Sequence, residues 1–249
     1  MLSKQSVKFT KSLQNKKFRR LYTQFIIEGE KSVLEVLGSD YTISKLLVTN
    51  FFKNKYETEL KPFASCIEIA GDTELNDVGS LQTNDAAIAI CNMKHELLPN
   101  RIQNEWAIVL DNINDPGNLG TIIRIADWYG IKHIICSEDT ADFYNPKVIN
   151  ASKGSFLRVL VHYTDLPTFL KHQQVAIYGA ELDGENIHQA AFASEGILVM
   201  GNEAHGLSAE VKRLLTHSLT IPRVGLAESL NVGIATAICC DRIISQLKS

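Results

Sequence analysis

The sequence predicts an α/β protein of two domains, a small one followed by a larger one built on a parallel sheet. Short apolar runs alternate with helical patterns along most of the chain. Residues 107–110 form a continuous apolar run, as expected for a parallel strand that is covered on both faces. A polar stretch containing Pro99 separates the two regions. We therefore expect an N-terminal domain over 1–95, a linker over 96–104 and a C-terminal domain over 105–249.

The individual elements follow from the apolar patterns in chain order. The first domain is predicted to contain strands at 25–28, 43–48, 66–70 and 86–91 and a helix over 31–37. The second is predicted to contain strands at 107–110, 131–136, 158–162, 175–179, 196–201 and 219–222, with helices over 119–129 and 231–247. The last helix is apolar on more than one side, which fits a central helix of the monomer as well as a subunit interface.

Composition excludes several classes of protein. The 249 residues are 45% hydrophobic and 21% charged, which is typical of a globular protein. No apolar run approaches the roughly 20 residues that span a bilayer, and the first residues lack the apolar core of a secretory signal, so we expect a cytoplasmic protein without membrane attachment. The five cysteines lack zinc-site spacing, which favours buried structural thiols and no metal.

The N-terminal segment is basic although the chain has a net charge of −3. Seven basic residues precede the first acidic one, Glu28. Such an arm is often a solvated, mobile tail. The alternative is an arm that contacts RNA phosphates, with Phe18 and Tyr22 available for stacking. The seven residues are Lys4, Lys8, Lys11, Lys16, Lys17, Arg19 and Arg20.

A first candidate site follows the strand at 107–110. Residues 111–130 read as strand end, Gly-containing turn and helix, an arrangement that binds phosphates or nucleotides at a helix N-terminus. The glycine spacing of dinucleotide-binding folds and the P-loop lysine are both absent, so a plain βα turn is the alternative. Asn118 is expected at the N-cap, where its role could be purely structural. Arg124, two turns into an otherwise apolar helix, is expected to lean back toward the same opening.

Two further candidate segments follow later strands. In the first, Gly201 would let a ligand approach the backbone, and Glu203 could orient an arginine or a hydroxyl. In the second, Ser229 and Asn231 stand at the start of the closing helix, and Ile221 and Leu230 would form apolar walls suited to an adenine ring. Ser229 lacks the surroundings of a nucleophilic serine.

The three segments together resemble the signature motifs of the SpoU (TrmH) family of RNA ribose methyltransferases, within the SPOUT superfamily. The resemblance rests on residues 115–124, 199–203 and 222–239 and covers the chain from about Trp106 onward. It implies a SPOUT-type parallel sheet with a C-terminal trefoil knot, S-adenosylmethionine as methyl donor, a ribose 2′-hydroxyl as acceptor and a homodimer. Residues 16–35 are similar to the family's small α/β substrate-binding domain.

Carried onto this chain, the resemblance implies roles for eight residues. The catalytic positions are Asn118, Arg124, Glu203, Ser229 and Asn231, and the cofactor-binding positions are Gly201, Ile221 and Leu230. Because a guanidinium keeps its proton in proteins, we expect Arg124 to stabilise the emerging alkoxide and hold a phosphate rather than act as a base.

Three alternatives stay open at this level. Ribosomal RNA is the preferred substrate over transfer RNA, by analogy with relatives that carry an extra N-terminal domain. A catalytically idle RNA-binding protein of the same fold is a second alternative. A nicotinamide-dependent oxidoreductase is a third, although the chain lacks its glycine fingerprint.

Overall fold

The computed structural model describes residues 1–248, the side chain of Asp72 apart, and the chain falls into two compact units. The first unit comprises Met1–His95 together with Asp142–Leu157. The second comprises Glu96–Ala141 and the chain from Arg158 onward. Residues 142–157, which the expected boundaries place in the C-terminal domain, belong to the first unit, and the expected linker belongs to the second.

Ten strands and eleven α-helices make up the described chain. The strands are β1 (Gln24–Glu28), β2 (Ile43–Val48), β3 (Ile67–Ile69), β4 (Ala87–Asn92), β5 (Trp106–Asp111), β6 (His133–Cys136), β7 (Leu160–Tyr163), β8 (Ile177–Asn186), β9 (Gly196–Gly201) and β10 (His217–Thr220). The helices are α1 (Lys4–Ser12), α2 (Lys16–Tyr22), α3 (Glu30–Leu37), α4 (Asn50–Lys55), α5 (Glu57–Leu60), α6 (Asp72–Val78), α7 (Pro116–Tyr129), α8 (Pro146–Ser152), α9 (Leu166–Lys171), α10 (Ala209–Lys212) and α11 (Val232–Lys248).

The first unit is built on a four-stranded mixed sheet in the order β1-β4-β2-β3. Strand β4 runs antiparallel to β1 and β2, and β3 is parallel to β2. All four predicted strands are present. Apolar side chains from one face of the sheet pack with helices α1 and α6 into a core that includes Ile26, Leu47, Leu75, Ile88 and Ile90.

The basic N-terminal segment is folded, which contradicts the mobile-tail interpretation. Ser3 caps α1 by accepting the backbone N–H of Ser6, and Asn15 caps α2 in the same way. Arg19 is buried in the first unit with 1% of its surface exposed. Its guanidinium donates to the carbonyl oxygen of Leu13 at 3.0 Å and forms an ion pair with Asp142. Arg19 is therefore a structural residue, and the expected phosphate contact does not apply to it.

The second unit contains a six-stranded sheet in the order β10-β8-β9-β5-β6-β7, and every neighbouring pair is parallel. The predicted α/β class and parallel sheet are confirmed. The core includes side chains of β5, β9 and α9, among them Val109, Val199 and Phe169. The trefoil knot stays an implication of the fold family.

The predicted linker contains no regular element but is packed onto the second unit. Ile102 is buried in the core of that unit, and its backbone N–H donates to Gln173 Oε1 at 2.9 Å. Among the described residues, no helix is both long and apolar enough to cross a membrane.

Helices α7 and α11 pack against each other and position the candidate site. The two helices approach closely at Gly233, where an added Cβ would lie 3.0 Å from Thr121 Cγ2. Helix α11 buries one stripe, which includes Thr236 and Ile243, whereas Ile234 is 55% exposed. The apolar surface of this helix thus serves the monomer on one side and faces solvent on another.

Candidate active site

A cavity of about 810 Å³ opens in the second unit, around the segments that follow β9 and β10. In parallel sheets, ligands bind beyond the carboxyl ends of the strands. The three expected cofactor-binding residues, Gly201, Ile221 and Leu230, all line this cavity. Glu203 and Ser229 line it as well. Their assignment as binding or catalytic residues stays a prediction, but the structure places them around one space.

Gly201 has a steric requirement within the protein itself. A Cβ at this position would lie 2.4 Å from the carbonyl carbon of Gly206 and 2.6 Å from the nitrogen of Leu207. The loop returns this closely because Asn202 and Gly206 exchange backbone hydrogen bonds of 2.8 and 3.0 Å. We expected the glycine to admit a ligand, and the structure adds a second reason, the tight return of the loop.

Asn202 holds this loop in place. Its Nδ2 donates to the carbonyl oxygen of Asn112 at 2.8 Å. Its Oδ1 accepts the backbone N–H groups of Ala204 and His205 at 2.9 and 3.2 Å. The side chain therefore ties the loop after β9 to the segment after β5. The sequence did not predict this role, although an asparagine directly after a strand and beside a glycine is a turn signal.

Asp111 was missed as well. It is the buried last residue of β5, and its Oδ2 accepts the backbone N–H of Ser208 at 2.7 Å. Ser208 is the residue directly before α10. A carboxylate at the end of an otherwise apolar strand is the signal that would have identified Asp111, because a buried charge needs hydrogen-bond donors.

A chain of side-chain hydrogen bonds joins the three predicted motifs. Asn118 Nδ2 donates to Glu203 Oε1, and Asn231 Nδ2 donates to Asn118 Oδ1 at 2.9 Å. Asn231 Oδ1 in turn accepts the backbone N–H groups of Gly233 and Ile234 at the start of α11. Because a carboxylate only accepts, Asn118 must turn its NH2 toward Glu203 and its oxygen toward Asn231. The hydrogen bonds therefore run in one direction, from the donor Asn231 through Asn118 to the acceptor Glu203.

The predicted N-cap of α7 was wrong. Because another residue caps the helix, the side chain of Asn118 can form the hydrogen bonds to Glu203 and Asn231. Asp115 caps α7, since its Oδ1 accepts the backbone N–H of Asn118 at 2.8 Å. Pro116 is the first helical residue, where a missing N–H costs nothing. Asn118 thus lies inside the first turn, and its side chain is available to bridge Glu203 and Asn231.

Arg124 stands apart from these contacts. It is exposed on α7, on the helix face that also carries Gly117 and Thr121. Within residues 1–248 its guanidinium makes no hydrogen bond and no ion pair. The structure therefore does not join Arg124 to Asn118 within the single chain.

The segment between β10 and α11 is open. Ser229 is exposed, and Val224 and Leu226 are 101% and 99% exposed. Arg223 Nη1 donates to the carbonyl oxygen of Ala227 at 3.2 Å within the segment. This side of the cavity presents its side chains to solvent.

Two buried cysteines of the second unit, one of them at the cavity, are poor nucleophiles. Cys239 lines the cavity wall, and burial raises the pKa of its thiol to about 12. Burial also raises the pKa of Cys136. A thiol that stays protonated near neutral pH is a poor nucleophile. Among the described residues, no group of three or more His, Cys, Asp or Glu side chains could hold a metal ion.

Comparison with known proteins identifies the family of this chain. A family model described as the SpoU rRNA methylase family matches residues 105–241, and one described as an MRM3-like substrate binding domain matches residues 4–89. The chain is 33% identical over 238 residues to the 23S rRNA (guanosine(2553)-2′-O)-methyltransferase RlmP of Bacillus subtilis, and the match covers 94% of each chain.

Solved structures agree over the full length. A protein of Porphyromonas gingivalis assigned to the TrmH family of RNA methyltransferases superposes with a TM-score of 0.84 at 34% identity, over 99% of each chain. An rRNA methyltransferase from Sinorhizobium meliloti with bound AdoMet superposes with a TM-score of 0.86 at 26% identity, over 100% of this chain and 97% of the other. Because the family model matches more than half of this chain, and RlmP is 33% identical to it over 94% of each chain, this chain belongs to the SpoU rRNA methylase family.

Proposed function

We propose that this chain transfers a methyl group from S-adenosylmethionine to a ribose 2′-hydroxyl of ribosomal RNA. The observation that carries the proposal is the directed hydrogen-bond chain from Glu203 through Asn118 to Asn231, which joins three distant motifs beside one cavity. The relative RlmP is named as acting on 23S rRNA, which supports ribosomal RNA as the substrate class.

The cavity suits the donor in size and in chemistry. Its volume of about 810 Å³ lies within the range of small-molecule sites. Ile221, Leu230 and Leu219 supply hydrocarbon to its walls, which is what the faces of an adenine ring require. When bound, S-adenosylmethionine supplies an activated methyl group on a positively charged sulfur.

The charge of the cavity wall also favours a cationic ligand. Carboxylates outnumber the lysine and arginine side chains there, and opposite charges attract more strongly where water is partly excluded. The carboxylates are those of Glu181, Asp183, Glu203 and Glu228, and the cations are those of Lys212 and Arg223.

The remaining work of the chain is positioning and charge stabilisation. Asn118 fixes Glu203 and the start of α11, so that the cavity wall and the Ser229–Asn231 segment keep one arrangement. Arg124 has no partner within residues 1–248, so its guanidinium is available to pair with an RNA phosphate and with the developing 2′-oxyanion.

We also propose that the protein works as a homodimer in the cytoplasm. The family resemblance implies the dimer, and two exposed apolar side chains support it, Trp128 on α7 at 83% exposure and Ile234 on α11. Light scattering of the purified protein gives the oligomeric state directly, and a mass equal to one chain would contradict this part.

Labelled methyl transfer tests the reaction and its substrate together. The protein is incubated with methyl-labelled S-adenosylmethionine and total RNA from a strain that lacks its gene, and labelled RNA is separated by size. Label in 23S rRNA, at a nucleotide resistant to alkaline hydrolysis because its 2′-oxygen is methylated, is the expected result. Label in transfer RNA would show that transfer RNA and not ribosomal RNA is the substrate. Cofactor binding without label in any RNA would favour a catalytically idle RNA-binding protein.

A further inference from the structure

The outer face of α1 and α2 carries several basic side chains. Six of the seven basic residues before Glu28 are exposed there, and the sequence of this segment contains no acidic residue. Lys11 pairs with Asp77 at 2.8 Å, but the other five form no ion pair within residues 1–248. These five are Lys4, Lys8, Lys16, Lys17 and Arg20. Since the chain as a whole is net negative, this face is a local concentration of positive charge.

An aromatic cluster joins the two helices on this side. Phe9 of α1 packs edge-on against Tyr22 of α2, with ring centroids 5.0 Å apart. Phe18 lies nearly parallel to Tyr22 at 6.3 Å, and Lys17 Nζ lies 6.0 Å from the centroid of Phe18. Tyr22 is 44% exposed, and its neighbour Leu21 is 64% exposed. A large ring is thus held by its neighbours and still reaches solvent.

The face is a built surface and not a flexible arm. The buried Arg19 anchors α2 through Asp142 and the carbonyl oxygens of Leu13 and Gln14, the latter at 2.7 Å. The buried Ser6 and Thr10 fix the opposite side of α1. The exposed cations and the aromatic cluster therefore keep their positions before any ligand binds, which lowers the entropic cost of binding.

Another exposed aromatic of the same unit provides a contrast. Phe51 on α4 is also exposed, but Lys55 beside it pairs with Glu30 at 2.8 Å. The acidic Glu57 and Glu59 follow directly on α5. Because acidic and basic side chains are mixed there, this second patch attracts a polyanion much less strongly.

The combination favours a single-stranded polynucleotide. A row of unpaired cations matches a phosphate backbone. Exposed aromatic rings bind bases only where the bases are unstacked, as in single-stranded loops and ends. A duplex would use the cations and leave the aromatic cluster unused.

We propose that the outer face of α1 and α2 binds a single-stranded segment of the RNA substrate, with Lys8, Lys17 and Arg20 on phosphates and Tyr22 stacked on an unpaired base. The proposal rests on the proposed function for the identity of the RNA. It assigns the binding face and its mode within the N-terminal unit.

Binding of a fluorescein-labelled single-stranded RNA of about 12 nucleotides to the full chain, followed by anisotropy, tests this directly. The triple variant Lys8→Gln, Lys17→Gln, Arg20→Gln is expected to bind at least roughly tenfold more weakly near 0.1 M salt. Its slope of log affinity against log salt should be smaller by about 2, because each phosphate contact on a single strand contributes roughly 0.7. Tyr22→Leu is expected to lose roughly tenfold, and Tyr22→Phe to bind like the parent.

The matched control is the double variant Phe51→Ala, Lys53→Gln on α4, which also removes an exposed ring and a positive charge. We expect it to leave both affinity and salt slope unchanged. Thermal melting and calorimetric titration with S-adenosylmethionine verify that every variant is folded. Wild-type affinity in the triple variant would overturn the proposal, as would a larger loss in the α4 control.

The ligand class is tested in the same assay. Equal affinity for a duplex of the same length would overturn the stacking part, and tighter binding of anionic lipid vesicles through the same residues would overturn RNA as the occupant. An experiment that contradicts this RNA-binding face can be distinguished from one that contradicts the proposed function. Methyl transfer that persists in a triple variant with normal RNA affinity overturns this inference alone, and RNA binding without any methyl transfer overturns the proposed function alone.

Discussion

Two loops of the second unit face the same cavity but are held in opposite ways. The loop after β9 is fixed by Asn202, by Asp111 and by its own backbone return at Gly206. The loop after β10 keeps Val224 and Leu226 almost fully in solvent. One wall of the site is therefore preorganised by the chain itself, whereas the other has its surface available for a ligand or a second subunit.

This contrast between the two loops predicts which single substitutions affect stability and which affect turnover. Residues of the fixed wall are constrained by neighbours, so changes there cost folding free energy. Residues without partners contribute little to folding, and their loss appears only when substrate is present.

The largest effect is expected at the unpartnered Arg124. Arg124→Ala should lower kcat by about 100- to 1000-fold, the range seen when a group that stabilises a developing oxyanion is removed. The melting temperature and the calorimetric Kd for S-adenosylmethionine should stay unchanged. Lys171→Ala, which removes one exposed charge on α9, is the control. Lost cofactor binding with normal turnover per bound complex would show that Arg124 belongs to the cofactor site instead.

A pair of glycines compares the two walls directly. Gly201→Ala should lower the free energy of unfolding by about 1–3 kcal/mol, because its Cβ would meet the backbone of Gly206. Gly225→Ala in the other loop meets nothing within 4 Å and should be neutral or slightly stabilising. Urea unfolding of both variants measures the difference. Equal stabilities would contradict the view that the loop after β9 is sterically constrained at Gly201 whereas the loop after β10 has room at Gly225.

Asn202 and Ser229 give a smaller contrast of the same kind. Asn202→Ala removes the hydrogen bonds to Asn112, Ala204 and His205 and should cost about 1–2 kcal/mol of folding free energy. Ser229→Ala, in the open loop, should change stability by less than about 0.5 kcal/mol. Thermal melts measure the stability of both variants. If Asn202→Ala is neutral, the backbone hydrogen bonds between residues 202 and 206 hold the loop without the side chain.

The smallest effect concerns the rate at which Cys239 is alkylated. Burial raises its pKa to about 12, so the thiol stays protonated from pH 7 to pH 9 and should react slowly in the native protein. Half-buried Cys66 should be modified first at pH 8. Mass spectrometry after timed alkylation shows the order. If S-adenosylmethionine does not slow the labelling of Cys239 further, the bound cofactor does not cover this part of the cavity wall.

Local patterns could predict the elements but not the contacts between distant ones. The apolar runs located β5, β9 and α11 to within a few residues, because a covered parallel strand and a capped helix each leave a local signature. The N-cap of α7 was misassigned because Asp115 and Asn118 are both good caps, and Pro116 was the cue that decides between them.

The remaining features depend on residues far apart in the sequence. Asn118 meets Glu203 85 positions away, and Asn202 meets Asn112 90 positions away, so no window of sequence contains either pair. The motif resemblance predicts Asn118 and Glu203 as site residues but does not predict the hydrogen bond between them. Asn202 carries no such signature, and its role became visible only through the fold.

The return of the chain into the first unit limits how the molecule can be divided. A fragment that stops at residue 95 would bury the guanidinium of Arg19 without its carboxylate partner, and an unpaired charge in that position is strongly destabilising. It would also lack Tyr144 and Phe156, which pack around Phe25. Any transplant or separate expression of the N-terminal unit must therefore carry the 142–157 stretch with it, whatever boundary the linear sequence suggests.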